Sequence, residues 1–136
     1  MNGNHPFEGT WTYRSFVNDP DLTVNVNDLL FGAGTLEISE PSFGILTGSL
    51  GGAGWSLALS GGMSYGNPFA VRFRGVGEIS GETWVYDYTG YLVPAWPNGV
   101  DQRSAIVGSV IRTVPHSGGQ AAAGFVASFI AVRQND

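Results

Sequence analysis

The chain contains no cysteine, which excludes disulfides, thiolate nucleophiles and sulfur-ligated metals together. It also lacks lysine: all six basic residues are arginine, so Schiff-base chemistry on a lysine amine is excluded. Two histidines are too few for a histidine-rich metal site, and neither metal nor cofactor is expected. Charged residues make up 12% of the 136 positions, about half the ordinary share. The net charge of −5 argues against nucleic acid as a partner, because non-specific recognition of phosphates needs a basic surface. No run reaches the roughly 18–20 apolar residues of a membrane helix, so no membrane partner is expected. The opening MNGNHPFEGT has neither the basic nor the apolar region of a secretory signal. The expected location is the cytoplasm, with a processed secreted form as the other reading.

What the chain has instead is glycine, 21 residues of it, and a hydrophobic fraction of 43%. The glycines are spread along the chain, and between them lie short alternating runs rich in β-branched and aromatic residues. Eight runs can be counted, at 9–16, 34–39, 45–50, 55–60, 70–79, 83–93, 104–114 and 124–133. Their connections (EPSFG, GGAG, GGMSYGNP, SGE and PHSGGQAAA) supply glycine, proline or asparagine for tight backbone. One longer stretch, 17–31, is expected to be a loop with one helical turn. No window carries a sustained helical period. The expected fold is all-β: a single domain over 1–136, built as an eight-stranded antiparallel up-and-down β-barrel. Closure removes the exposed strand edges. A barrel of eight strands is either filled by side chains or holds one small ligand.

Three short motifs carry a resemblance. Gly9-Thr10-Trp11 is similar to the Gly-x-Trp start of lipocalins and avidins. The stretch from Gly44 to Leu50, GILTGSL, resembles the third strand of streptavidin-type barrels. Tyr88-Thr89-Gly90-Tyr91-Leu92-Val93 is similar to their sixth strand. The resemblance is to the avidin-like, calycin-type barrels, and it implies association of copies through barrel faces. It does not imply biotin. Where avidins place Asn and Ser on the first strand, this chain has Tyr13 and Val17. Their third-strand Tyr and Ser correspond to Leu50 and Gly52, and Ser128-Phe129 has no carboxylate beside it. A site stripped of convergent hydrogen bonds does not regain affinity by shape.

Strand side chains alternate, so an inward Trp11 brings Tyr13 and Ser15 inward with it. The same parity puts Leu46, Gly48 and Leu50 inside, then Trp55, Leu57 and Leu59, then Val71 and Phe73. In WVYDYTGYLV it puts Trp84, Tyr86, Tyr88 and Gly90 inside and Asp87 outside. Asp87 is expected to meet Arg72 or Arg74 on the outer face, as an ion pair and not as a catalytic acid. The inward aromatics read first as core. Buried phenols, however, need hydrogen-bond partners, and small residues at Ser15, Gly48, Gly52 and Gly90 are expected to leave room. The candidate ligand-binding set is Tyr13, Ser15, Leu50, Trp55, Phe73, Tyr86, Tyr88 and Trp96. Trp96 joins it because Pro94 and Pro97 stiffen its loop, as suits a cover for the barrel mouth or a contact on a neighbouring subunit. His116 reads as a solvated loop residue, and no catalytic residue is assigned.

Three functions compete. The leading one is a barrel binding a small hydrophobic or aromatic molecule without covalent chemistry. A small barrel enzyme of cyclase or isomerase type is the alternative, so whether the protein is an enzyme stays open. A filled barrel serving as a structural or interaction module is the third. A homo-oligomer, dimer or tetramer, is expected, because strands 104–114 and 124–133 are apolar on both faces.

Overall fold

A computed structural model describes residues 5–134 of the chain. The eight runs become β1 (Gly9–Val17), β2 (Leu30–Ser42), β3 (Ile45–Gly52), β4 (Trp55–Ser64), β5 (Ala70–Ile79), β6 (Glu82–Leu92), β7 (Ala105–Arg112) and β8 (Val126–Arg133). Each strand pairs antiparallel with its sequence neighbours, and β1 pairs with β8 to close the barrel. Among the described residues the helix content is one 3-10 turn, Val26–Leu29, within the long first connection. The Asn25 side chain caps it by accepting from the Asn27 N–H at 2.9 Å.

Boundaries shift where composition conceals pairing. β2 starts at Leu30, because Gly32 and Ala33 pair with Ser15 and Arg14 despite their poor strand propensity. β7 stops at Arg112, and residues 113–125 form a connection that folds back over one end of the barrel.

Side chains alternate inward and outward around the circumference. Trp11, Leu36, Leu46, Leu59, Val71, Phe73, Ile106 and Phe129 are buried inside, while Arg72 and Arg74 are exposed outside. The glycines behave differently from the expectation that they make room in the lumen. A Cβ on Gly48 would run into the Glu37 carbonyl, and one on Gly90 into the Val107 carbonyl and the Phe129 ring. Both are glycine so that neighbouring strands can approach closely and coil.

The end of the barrel nearest the chain termini is closed. Phe7 and Trp11 are fully buried there, and the Trp11 Nε1–H donates to the Phe7 carbonyl at 3.1 Å. Arg133, inward on β8, lies over the Trp11 indole with its guanidinium carbon 4.3 Å from the ring. It also donates to the Pro6 carbonyl at 2.6 Å and to the Glu8 carbonyl. The aromatic face and the carbonyl acceptors both stabilise the buried guanidinium. The packed end directs any ligand to the other one.

Candidate functional site

At the end opposite the Trp11 plug, the interior opens into a cavity of about 470 Å³. Its wall carries Tyr13 and Ser15 from β1, Phe31 from β2, Leu50 from β3, and Trp55 and Leu57 from β4. Trp84, Tyr86 and Tyr88 come from β6, Val110 and Arg112 from β7, and His116 from the β7–β8 connection. The volume falls within the roughly 300–1,000 Å³ of small-molecule sites, and the lining is mostly aromatic with a few polar groups, as such sites usually are.

Deeper in, Tyr88 stacks on Phe73 with centroids 4.9 Å apart and meets Tyr13 edge to face at 6.2 Å. The Ser15 hydroxyl beside Tyr13 donates to the Gly32 carbonyl at 3.4 Å. Burial pushes Tyr13 up to about 12 and Tyr88 well above the ordinary 10. Both phenols therefore stay neutral and act as hydrogen-bonding groups on the cavity floor.

The rim is a connected polar network. The Arg112 Nε–H donates to the Tyr86 hydroxyl at 3.0 Å, and that hydroxyl lies 2.8 Å from His116 Nε2. His116 Nδ1 lies 2.8 Å from Ser117 Oγ, and the ring stacks on Trp84. Burial, and after it the Arg112 charge, holds His116 below its ordinary 6.5, against a smaller opposing pull from Glu82. The imidazole is accordingly neutral at pH 7. With its proton on Nδ1, it accepts a hydrogen bond from the Tyr86 hydroxyl on Nε2. With its proton on Nε2, it donates to Tyr86 and frees the phenol proton for a guest.

The connection that carries His116 is held in place. Glu82 accepts from the Ser117 and Gly118 N–H groups at 3.0 and 3.3 Å, and His116 pairs with Ala121 through two backbone bonds of 3.1 Å. The tight turn between them uses positive φ at Ser117, Gly118 and Gly119, a conformation glycine adopts without strain.

Of the eight candidate residues, Tyr13, Ser15, Leu50, Trp55, Tyr86 and Tyr88 share this cavity. Phe73 lies below it, packed under Tyr88. Trp96 sits on the β6–β7 connection at the closed end, 69% exposed. Its loop is fixed by Gln102, which accepts from the Trp96 N–H at 2.6 Å and donates to the Trp96 carbonyl at 3.1 Å. His116 is buried, not solvated. Arg112, His116, Trp84 and Phe31 complete the wall without having been in the candidate set. Among the described residues, no group of three or more His, Asp or Glu side chains is placed to hold a metal.

No family model matches the chain, and neither a curated protein nor a solved structure does. The site stands on its own geometry.

Proposed function

We propose that the chain is a binding barrel for a small, largely aromatic molecule held without covalent chemistry. The 470 Å³ cavity, closed at the plugged end and opening beside His116, carries this reading. A barrel serving only as a structural module would fill that space with side chains, because protein interiors pack to high density. The resemblance to avidin-type strands supports a ligand barrel and disfavours biotin. On the wall, the matching positions offer a phenol at Tyr13 and an alkyl chain at Leu50, without the convergent polar set a ureido group needs. The test is a titration with N-phenyl-1-naphthylamine, an uncharged fluorescent aromatic, read by its emission and by tryptophan quenching. Saturable one-to-one binding is expected; absence of binding rejects the reading.

One observation favours a second reading, a small enzyme of cyclase or isomerase type. The Tyr86 phenol lies between Arg112 and a neutral His116, an arrangement able to give or take a proton at the cavity wall. On that reading Tyr86→Phe would abolish turnover of a bound substrate while leaving its affinity within a few-fold.

We also propose self-association through the outer faces of β6, β7 and β8. Tyr91, Ile111, Val126 and Ile130 are exposed there, and Val107 pairs with Ile130 as Ile111 does with Val126. Exposed apolar side chains gathered on one face of a chain this poor in charge are the mark of an interaction face. Small residues let two such faces approach: Ser109 and Ser128 lie opposite each other with exposed side chains. Gly108 and Ala127 have the opposite parity and serve the interior.

A further inference from the structure

Arg112 is a cation on the wall of an aromatic cavity, and among the described residues no carboxylate pairs with it. Its guanidinium carbon lies 5.4 Å from the Phe31 ring, 5.7 Å from Tyr86 and 5.3 Å from Phe125. Two hydrogen bonds hold it there, one to the Tyr86 hydroxyl and one of 3.2 Å to the Ala122 carbonyl. Of its five N–H donors these engage two. Arg74, by contrast, pairs with Asp87 on the outer face. Glu82, the acidic residue of this rim, directs its two oxygens to backbone N–H groups of the β7–β8 connection. A guanidinium drawn out of water is stabilised by aromatic faces and neutral acceptors, but much more by an anion it can grip with two parallel bonds.

We infer that the ligand is a small aromatic acid, its anionic head held at the mouth by Arg112 and its apolar body seated in the lumen. This inference rests on reading the open half of the barrel as a ligand cavity, and it names the class of ligand. The head is a single monoanionic group of the carboxylate or sulfonate kind. Arg112 is the one arginine of the cavity wall. Arg14, Arg72 and Arg74 are exposed on the outer face, and Arg133 closes the opposite end, where Arg103 donates to the Arg133 carbonyl. The depressed basicity of His116 removes a second positive charge near pH 7, so a doubly charged phosphate would be poorly matched. The body is flat and apolar, because it must lie among Phe31, Trp55, Trp84, Tyr86 and Tyr88.

Two fluorescent probes that differ by one sulfonate decide the matter: 8-anilinonaphthalene-1-sulfonate and the uncharged N-phenyl-1-naphthylamine. Each is titrated into the folded full-length chain at pH 7, and each is used to displace the other. The sulfonate probe should bind about 10- to 100-fold more tightly, as charge-assisted hydrogen bonds of this kind require, and the two should compete. Arg112→Gln should remove that advantage while leaving the neutral probe within a few-fold, and Arg112→Lys should keep part of it. Equal affinities in the wild-type chain, or independent binding of the two probes, overturns the inference while leaving the cavity intact. If neither probe binds, the cavity reading fails first. Should Arg112→Gln not fold, the wild-type ratio and the competition are sufficient on their own.

Discussion

The imidazole of His116 and the indole of Trp84 lie face to face, with centroids 3.7 Å apart and planes within 9° of parallel. Burial, and after it the Arg112 charge, keeps the imidazole neutral by lowering its basicity. A lowered folded-state value has a definite consequence for stability. Below the ordinary 6.5 the unfolded chain takes up a proton that the folded chain refuses, so stability falls as pH drops through that region and levels off below the folded-state value. His116→Gln should therefore flatten the decline in melting temperature between neutral and mildly acidic pH. Equal acid-side slopes for the two proteins would show that His116 titrates freely, with neither Arg112 nor burial acting on it.

The tyrosines of the cavity floor make the opposite prediction at high pH. Tyr13 is held up at about 12 and Tyr88 well above 10 by desolvation. Above pH 10 the unfolded chain loses phenolic protons that the folded chain retains, so stability drops as pH rises toward 12. An absorbance titration of phenolate formation should show a late component coincident with unfolding. Tyr88→Phe should shrink that component and move the alkaline midpoint upward. A single early step for all the tyrosines would mean that water reaches the floor.

The contact between Arg133 and Trp11 helps to hold the closed end. Replacing Arg133 by Met keeps most of the packing volume but leaves the carbonyls of Pro6 and Glu8 without their donor. The buried Pro6 carbonyl left unsatisfied costs about 1–3 kcal/mol, the part-buried Glu8 carbonyl less, and the charge–ring attraction is lost as well. Urea unfolding of Arg133→Met should show a loss of about 3 kcal/mol. Probe binding at the other end of the barrel should change little in the fraction that stays folded. A loss below about 1 kcal/mol would show that the plug is held by Phe7 and Trp11 packing alone.

Much of this molecule can be read from parity. Once Trp11 is placed inside, alternation fixes Tyr13, Tyr86 and Tyr88 inside and Asp87 outside. Asp87 does pair there with Arg74, through bonds of 2.8 and 3.0 Å. The same rule, continued along β7 from Ile106 through Gly108 and Val110, places Arg112 on the cavity wall, so that residue was legible though it was not read. His116 was not legible. It stands on an irregular connection, and what buries it is the return of that connection over the mouth under the hold of Glu82, a contact 35 residues apart in sequence. No periodicity encodes such a return. Trp96 shows the converse: two prolines predict a stiff loop, and the strand count places that loop at the closed end, but nothing local says which end is open.

The proposed interface gives the last prediction. Val126 and Ile130 are 45% and 38% exposed on the outer face of β8, and Ile111 and Tyr91 are 39% and 45% exposed on β7 and β6. Fully burying an aliphatic side chain of this size is worth roughly 1.5–3 kcal/mol, and burial of the remaining exposed part is worth a fraction of that at each position. Summed over two copies, the patch can offset the entropy lost on association, provided the two faces meet closely. Ile130→Glu is the sharpest probe of this. On a solitary barrel the new carboxylate would lie across from Arg14 and be tolerated as a cross-strand pair. At a two-copy interface it would bury unpaired charge in both partners and split them. Light scattering should therefore report an oligomer for the wild-type chain and a folded monomer for Ile130→Glu, with melting cooperativity retained. A wild-type chain that scatters as a monomer at every concentration would leave the apolar face of β6, β7 and β8 without a self-partner and end the proposal.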